Sequence, residues 1–402
     1  MQYRLDKFGN KLSILGFGCM RFPRTRGRID MGKTEAMIVG AVDRGVNYFD
    51  TAYIYPGSEE ALGQAVGRNN LRDRMYIATK LPLFMCKSCS DFNKFFNTSL
   101  KRLGTDYIDY YLMHMITTPE QWKFLCGLGI EKWIDEKKSQ GKIRQLGFSF
   151  HGKRDDFVSV VDARDWDFCM IQYNYMDINN QAGRTGLRHA ASKGIPVMVM
   201  EPLLGGRLTD CKTMPPKVRT IFQESGTDLT PAALALRWIW NHPEVTTLLS
   251  GMSCRQALDE NIITASSMAS PGILTPKELE TIDRVIAAFG ESDRIKCTGC
   301  GYCIPCPVGV NIPDCFTSYN ASYTMSKLTA MRKYVMATAA LTTKKGLASS
   351  CAGCGKCEEH CPQSIPISGS LKTVSKRLEP FWFSAGLSMV RWFTSAKAKR
   401  SS

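Results

Sequence analysis

Four side chains that can donate, accept or hold a proton follow three apolar, strand-like stretches of the sequence. They are Asp50 and Tyr55 after the first stretch, Lys80 at the end of the second and His114 at the end of the third. Where strands alternate with helices, the carboxyl ends of the strands face one rim, so we expect these side chains to converge on an active-site mouth. The alternative for Asp50 is a turn acid that caps the following helix, because helix N-termini favour Asp.

Eight of the sixteen cysteines fall in two tight runs near the end of the chain. The later run has the spacing of bacterial ferredoxins, ends in Cys-Pro and comprises Cys351, Cys354, Cys357 and Cys361. The earlier run shortens the last gap by one residue and comprises Cys297, Cys300, Cys303 and Cys306. Zinc also accepts four thiolates. Paired runs that end in Cys-Pro are nevertheless typical of iron–sulfur clusters, so we predict two 4Fe-4S clusters.

The two runs are expected to exchange their last ligands. In two-cluster ferredoxins the fourth cysteine of each run serves the other cluster. Applied to this chain, that rule assigns one cluster to Cys297, Cys300, Cys303 and Cys361. The other cluster is then assigned to Cys351, Cys354, Cys357 and Cys306.

The elements that must position the four proton-handling side chains form a repeating pattern. Eight strand-like stretches are Leu15–Phe22, Asn47–Ala52, Met75–Leu81, Tyr107–His114, Ile143–Phe150, Phe168–Tyr175, Pro196–Pro202 and Thr246–Gly251. Helical patterns separate them, among them Pro119–Ser139, and a last helix is predicted at Pro276–Phe289. Eight strands that alternate with helices predict an α/β fold, a (β/α)8 TIM barrel.

Phe49-Asp50-Thr51-Ala52, with Tyr55, Lys80 and His114, resembles the catalytic tetrad of the aldo/keto reductases, and the match spans about residues 1 to 290. The resemblance implies that Tyr55 donates a proton to a carbonyl oxygen, which His114 orients. A free phenol has a pKa of about 10, so an ammonium that stabilises the phenolate is useful. Lys80 would supply it, with Asp50 holding Lys80 in place. The resemblance also implies a small hairpin at Met1–Leu12 below the barrel.

The same resemblance implies a nicotinamide cofactor across the barrel mouth. No Gly-x-Gly-x-x-Gly fingerprint follows a strand, which excludes a Rossmann domain. Ser149 and Gln172 match positions that contact the carboxamide in the family. Phe150 stands where the family commonly has Asn, and Glu201 where an aromatic ring often stacks on the nicotinamide.

The adenosine end of the cofactor is expected beyond the last strand, where a helix N-terminus suits a phosphate. The residues expected there are Gly251, Ser253, Arg255, Glu260 and Asn261. Arg255 is the only nearby guanidinium and is displaced from the position of the family's arginine for the 2′-phosphate. We therefore expect NADPH to be preferred only modestly over NADH.

The composition of the chain changes at Cys297, and an aromatic, basic segment follows near the end. We predict a barrel over residues 1–290, a C-terminal α-helical ferredoxin-type domain over 291–378, with a helix from about Tyr323 to Lys344, and an aromatic, basic tail over 379–402. A tail helix docked on its own domain explains the pattern Phe381–Phe393, and contact with a membrane surface is the alternative.

Charge and hydropathy narrow the function classes. Residues 297–402 carry 13 Lys or Arg and 4 Asp or Glu, and the whole chain has a formal charge of +15. The excess could attract an acidic redox partner protein or a membrane, whereas no nucleic-acid-binding motif accompanies it. The sequence has no apolar run of 18 residues and no secretion signal at its start, and its cysteines suit a reducing compartment. We therefore expect a cytoplasmic protein.

These observations predict an oxidoreductase in which a barrel reduces a small carbonyl compound, or oxidises an alcohol, and exchanges electrons with two clusters. The alternative is an electron-transfer protein whose barrel is a docking scaffold without hydride chemistry. No flavin motif in the sequence connects the two-electron chemistry of a nicotinamide with the one-electron chemistry of the clusters.

Overall fold

The computed structural model describes residues 1–209, 214–292, 294–323, 327–338, 346–383 and 387. The chain divides into two compact units. The first consists of Met1–Leu204 and Asp228–Glu278, and the second of Gly205–Thr227 and Leu279–Ser402. The domain limits at residues 290 and 378 stay predictions.

Twelve strands lie in the described residues. They are β1 (Tyr3–Leu5), β2 (Lys11–Ser13), β3 (Leu15–Gly18), β4 (Arg24–Thr25), β5 (Arg28–Ile29), β6 (Tyr48–Asp50), β7 (Tyr76–Leu81), β8 (Ile108–Ile116), β9 (Ile143–Phe150), β10 (Phe168–Gln172), β11 (Val197–Met200) and β12 (Val245–Ser250). Strand β3 and strands β6 to β12 pair in parallel, in chain order, and close into an eight-stranded barrel. The predicted (β/α)8 fold is confirmed.

The helices in the described residues are α1 (Met31–Asp43), α2 (Ser58–Arg68), α3 (Cys89–Leu103), α4 (Pro119–Gly127), α5 (Ile130–Ser139), α6 (Arg154–Asp162), α7 (Gly183–Ser192), α8 (Pro216–Glu224), α9 (Pro231–Trp240), α10 (Arg255–Ser267), α11 (Pro276–Ser292), α12 (Ile312–Ala321), α13 (Lys327–Ala337), α14 (Lys356–Glu359) and α15 (Ile367–Leu378). The single helix predicted at Pro119–Ser139 is wrong. Gly129 has a φ of +83°, a left-handed conformation that favours glycine, and it separates α4 from α5.

Two other sequence expectations meet the limits of the described residues. Within the helix expected from Tyr323 to Lys344, α13 covers Lys327–Ala337, and residues 339–345 lie outside the described part. Most of the tail, residues 384–386 and 388–402, also lies outside it. No helix in the described residues is long and apolar enough to cross a bilayer.

The N-terminal hairpin closes the amino end of the barrel. Strands β1 and β2 pair antiparallel, and the turn between them carries Asp6. The Asp6 carboxylate accepts hydrogen bonds from Tyr110 Oη at 2.6 Å and from Gln145 Nε2 at 2.5 Å, both on barrel strands. Leu12 packs in the interior cluster that includes Tyr48 and Tyr110. The predicted hairpin is confirmed, and its contacts lie at the amino ends of the barrel strands.

In the second unit, helices surround the cysteine runs. Helix α12 packs against α13 and α15, and the core of the unit contains Phe316, Tyr334, Leu371 and Val374. Cysteines of both runs lie partly buried against this core. A small apolar core therefore holds the two loops that carry the thiols.

Candidate active site and cluster-ligand sites

Asp50 and Lys80 form a buried ion pair inside the barrel. Because side chains alternate across a strand, Tyr48 and Asp50 face the interior on β6, as Ala78 and Lys80 do on β7. Lys80 Nζ donates to Asp50 Oδ1 at 2.7 Å and Oδ2 at 2.6 Å, and to the Thr51 carbonyl at 2.7 Å. Burial raises the pKa of Asp50, and the Lys80 ammonium opposes this effect.

Asp50 does not cap the following helix, so that alternative is wrong. The residue before α2 is Gly57, with a φ of +74°, and the Asp50 carboxylate is bound by Lys80 instead. Ser58 fixes the intervening turn because its hydroxyl donates to the Cys19 carbonyl at 3.0 Å and its backbone N–H to the Tyr55 carbonyl at 3.0 Å. Tyr55 therefore lies on a turn held at both ends.

Tyr55 lies next to both Lys80 and His114. Lys80 Nζ is 5.2 Å from the centre of the Tyr55 ring. The rings of Tyr55 and His114 are 6.1 Å apart between centroids and meet at 83°. Tyr55 is half-buried, whereas Lys80 and His114 are only 2% and 1% exposed. The structure thus brings the four side chains singled out in the sequence together at one rim.

A backbone irregularity accompanies His114. The pairing of β8 with β9 shifts between Met113 and Ile116, and Met115 has a φ of +62°. The Met115 N–H donates to Ser149 Oγ at 2.9 Å across the two strands. Bulges of this kind re-aim side chains and are frequent next to active sites. Here the bulge lies directly after His114.

The surroundings of His114 favour the neutral form of its imidazole. Burial lowers its pKa well below 6.5, and the nearby Lys80 ammonium and His151 act in the same direction. Its Nδ1 is buried and has no hydrogen-bond partner among the described residues. A neutral imidazole has one donor and one acceptor nitrogen, so His114 can donate a hydrogen bond to a ligand oxygen.

Ser149 and Gln172 lie near the carboxyl ends of neighbouring strands. Ser149 is paired with Met170 in the register of β9 and β10, two residues before Gln172. The Gln172 side chain is held at both ends, because its Nε2 donates to Asp177 Oδ2 at 2.7 Å and its Oε1 accepts from Gln181 Nε2 at 3.2 Å. These bonds fix the amide in one orientation.

The sequence interpretation overlooked His151. Phe150, at the position of the family's Asn, packs on Phe157 of α6 with ring centroids 5.0 Å apart, on the outer face of the barrel. His151 follows the interior residues Gln145 and Ser149 in the two-residue alternation of β9, and it is 7% exposed. Burial lowers the pKa of His151 to about 4, although a hydrogen bond with Gln181 acts to raise it. The alternation beyond the strand end was the signal that could have found it.

Glu201 follows β11 directly and has a φ of +54°. Its carbonyl oxygen accepts a hydrogen bond from Asn174 Nδ2 at 3.1 Å. A non-glycine residue in the left-handed region is uncommon and often marks a functional segment. The side chain at this position is an acid and not the aromatic residue of the family.

The residues expected at the adenosine end lie around the start of α10. Gly251 and Ser253 are exposed, and the helix begins at Arg255 after an N-cap, Cys254, that makes no side-chain capping bond. The first backbone N–H groups of α10 therefore lack the usual side-chain acceptor. An anion could take that place.

The remaining side chains at this end are engaged with other protein groups. Asn261 Nδ2 donates to Ser250 Oγ at 2.9 Å, and Glu260 is hydrogen-bonded to Thr230. Arg255 Nε donates to both carboxylate oxygens of Asp259, at 2.9 and 3.1 Å. The Arg255 guanidinium is thus paired with an acid on its own helix.

The cysteines lie in two groups that mix the runs. Cys297, Cys300, Cys303 and Cys361 line one pocket, together with apolar residues such as Phe316. In the other group Cys357 is close enough to Cys351 and Cys306 for their charges to raise its pKa, after the larger effect of burial. Cys354 of that run is exposed. Each group therefore receives its outlying cysteine from the other run.

The donor set suits a cluster better than a single ion. Within the described residues, no three His, Cys, Asp or Glu side chains surround a point closely enough to hold one metal ion. The ligands of a four-iron cubane stand around a larger core and lie farther apart than zinc ligands. Burial raises the pKa of Cys297 to about 11 and of Cys303 to about 12, so these thiols need bound metal to be held as thiolates.

The closed parallel barrel with these groups at its rim, followed by two ferredoxin-type cysteine runs, defines an oxidoreductase joined to an iron–sulfur domain. The aldo/keto reductase family matches residues 14–287, and a 4Fe-4S dicluster domain matches residues 296–365. The chain belongs to the aldo/keto reductase family and carries a 4Fe-4S dicluster domain after its barrel. The family resemblance is confirmed.

The relatives cover the barrel. An aldo-keto reductase of Mycobacterium avium is 27% identical over 236 residues, which make up 57% of this chain and 72% of the relative. The structure of aldo-keto reductase AKR11C1 from Bacillus halodurans, in its holo form, matches with a TM-score of 0.59 at 25% identity. The match covers 71% of this chain and 96% of the Bacillus chain. An aldo-keto reductase from Klebsiella pneumoniae, in complex with NADPH, shares the fold with a TM-score of 0.57 at 23% identity, covering 71% and 95%.

Proposed function

We propose that this protein is a nicotinamide-linked carbonyl reductase whose barrel exchanges electrons with two 4Fe-4S clusters. The family membership supports a small carbonyl compound, or the corresponding alcohol, as the substrate. The observation that carries the proposal is the buried Asp50–Lys80 ion pair next to the Tyr55 ring, with the neutral His114 also in contact with that ring.

Carbonyl reduction adds a hydride to carbon and a proton to oxygen, and the four side chains serve the proton. Tyr55 is the donor because it is half-buried and its ring lies next to both Lys80 and His114. The Lys80 ammonium, 5.2 Å from that ring, stabilises the phenolate that remains after transfer. Asp50 holds the ammonium by two hydrogen bonds, which fixes its direction. His114 donates to the substrate oxygen and orients it.

A bound nicotinamide would supply the hydride. Ser149, Gln172 and His151 are the proposed contacts for its carboxamide, since they are polar, buried and near the ends of β9 and β10. Their hydrogen bonds with neighbours set the direction of each polar atom in advance. Glu201, with its left-handed backbone at the end of β11, is the proposed neighbour of the nicotinamide ring.

The uncapped start of α10, with Gly251 and Ser253, would hold the adenosine phosphates. Arg255 would have to exchange Asp259 for a 2′-phosphate to favour NADPH over NADH. Glu260 and Asn261 complete the proposed contacts at this end.

The clusters would supply single electrons when bound. The proposed ligands of one cluster are Cys297, Cys300, Cys303 and Cys361, which already line one pocket. The proposed ligands of the other are Cys351, Cys354, Cys357 and Cys306. The excess of basic residues after residue 297 supports an acidic redox partner protein.

The test combines cofactor binding with loss of one hydroxyl group. Titration of the anaerobic protein with NADPH and NADH, followed by quenching of tryptophan fluorescence, should give saturable binding, tighter for NADPH. Tyr55→Phe should keep this binding and lower turnover of a model aldehyde by roughly 10²- to 10⁴-fold, the range for general acid catalysis. The matched control is Tyr53→Phe, because Tyr53 packs against Phe95 and Arg102 and should not matter.

Two outcomes would contradict the proposal. Unchanged turnover in Tyr55→Phe would remove Tyr55 as the proton donor. Absence of binding for either nicotinamide would favour the alternative, an electron-transfer protein that uses its barrel as a scaffold.

A further inference from the structure

A tight glycine turn follows β11 in the chain. Leu204, Gly205 and Gly206 have φ values of +49°, +66° and +95°, so three consecutive residues adopt the left-handed conformation. Two glycines make this reversal accessible, because glycine adopts positive φ without a steric penalty. From Gly205 onward the segment up to Thr227 belongs to the second compact unit, although in sequence it lies between two barrel strands.

Gly205 packs directly on the loop of the first cysteine run. A Cβ at this position would lie 1.7 Å from the carbonyl oxygen of Thr298 and 2.8 Å from its carbonyl carbon. Real Cβ atoms do not approach a backbone that closely, so only glycine fits. Thr298 is buried and follows Cys297, the first cysteine of the pocket described above. The turn is therefore in van der Waals contact with a ligand loop.

Arg207 brings a positive charge to the same place. It is half-buried, and its guanidinium lies 5.8 Å from the centre of the Phe289 ring, a cation–π contact that holds the side chain. Arg207 lies two residues after Gly205, whose backbone contacts Thr298, the residue that follows Cys297. Arginine side chains carry a positive charge over the pH range in which proteins are folded.

We propose that the turn Gly205–Arg207 completes the site of the cluster assigned to Cys297, Cys300, Cys303 and Cys361, and that Arg207 raises the reduction potential of that cluster. The inference rests on the proposed function only in that a cluster occupies this pocket. Four thiolates around an oxidised cubane give a net charge of about −2, and reduction makes it about −3. A fixed positive charge nearby stabilises the reduced form more than the oxidised form, which moves the potential upward.

The experiment is an anaerobic redox titration of the full-length protein, with the reduced clusters followed by electron paramagnetic resonance. In Arg207→Gln one of the two midpoint potentials should become more negative while the other keeps its wild-type value. Arg207→Lys keeps the charge and should keep both potentials. Arg219→Gln is the matched control, because Arg219 is exposed on α8 of the same segment and its loss removes an equal charge.

A second variant tests the packing. Gly205→Ala should displace the turn from Thr298 and lower the iron content from about eight to about four per chain, since one cluster loses its support. If Arg207→Gln also loses one cluster, Arg207→Lys decides: two retained clusters with wild-type potentials support the role of the charge, and loss of a cluster in this variant overturns it.

The possible failures are distinguishable. A wild-type protein without about eight irons refutes the two-cluster function and this inference with it. A wild type with both clusters, together with an Arg207→Gln variant whose potentials equal those of Arg219→Gln, refutes only the inference. The same holds if Gly205→Ala keeps its iron and its potentials.

Discussion

Replacement of Asp50 by Asn tests the ion pair on which the proposed proton chemistry depends. In the wild type, Lys80 is 2% exposed, and its ammonium donates to both carboxylate oxygens and to the Thr51 carbonyl. An asparagine has a similar shape, but its amide can offer only one acceptor oxygen and no charge. Asp50→Asn therefore leaves a buried ammonium without a counter-charge.

The cost follows from the burial of both partners. Removing one member of a buried ion pair destabilises a protein by about 3–5 kcal/mol, because the remaining charge is uncompensated. For a barrel of this size each kcal/mol lowers the melting temperature by roughly 2–4 °C, so the expected decrease is on the order of 10 °C. The double variant Asp50→Asn with Lys80→Met has no buried charge at these two positions and should recover much of this loss.

Lys80→Met alone should cost less than Asp50→Asn. Burial already raises the pKa of Asp50 in the wild type, so a carboxyl group that loses its ammonium can become neutral by taking up a proton. The same Asp→Asn change at Asp165 is the control. That acid is 88% exposed in its pair with Lys7, and exposed pairs contribute about 0–1 kcal/mol.

Thermal unfolding followed by tryptophan fluorescence is the appropriate assay, because five of the seven tryptophans lie in the first unit. The four variants should be compared in one buffer and at one scan rate, since a two-unit protein with bound clusters need not unfold reversibly. An Asp50→Asn variant as stable as the wild type would refute the reasoning. So would a double variant that is no more stable than Asp50→Asn.

Three further predictions follow from the same structure. Anaerobically purified protein should contain about eight irons and eight acid-labile sulfides per chain, and about four irons, or zinc in their place, would contradict two clusters. Because the pKa of His151 is lowered to about 4, its imidazole stays neutral in the folded protein, whereas the unfolded chain binds a proton below about pH 6.5. The free energy of unfolding should therefore fall by up to roughly 3 kcal/mol as the pH drops from about 6.5 to about 4. The variant His151→Gln should flatten the dependence of the melting temperature on pH, and an unchanged slope would contradict this assignment. When protein with chemically reduced clusters is mixed with oxidised nicotinamide, the clusters should be reoxidised while reduced cofactor forms. A variant with serine at Cys351 and Cys354 should not form reduced cofactor. Equal rates in both proteins would mean that the clusters and the barrel are not coupled.

The sequence was sufficient to predict the barrel because its strands have two recognisable features. Each is an apolar run, and three of them end in, or are followed by, a side chain that can donate or accept a proton. The positions of Asp50, Lys80 and His114 at or after the carboxyl ends of strand-like runs predicted that these side chains converge on one rim. Glycine and turn residues between the runs gave the approximate limits of the helices, although Gly129 shows that one of them could interrupt a helical pattern.

The sequence was less informative where side-chain direction depends on residues beyond a strand. Phe150 stands where the family commonly has Asn, yet it points outward against Phe157, and His151 takes the interior position. The association of Gly205 with Thr298 could not be predicted at all, because 92 residues separate them in the chain and no local pattern connects a glycine turn with a cysteine loop.

The number of clusters agrees with the chemistry proposed for the barrel. A hydride carries two electrons, whereas a 4Fe-4S cluster exchanges one, so a single cluster would leave the second electron without an acceptor within the chain. Two clusters can hold both electrons of one hydride. In the proposed ligand sets Cys361 joins the first run and Cys306 the second, so the two sites would be interdependent. Loss of either run should therefore damage both clusters at once, and the chain could then no longer hold both electrons of a hydride.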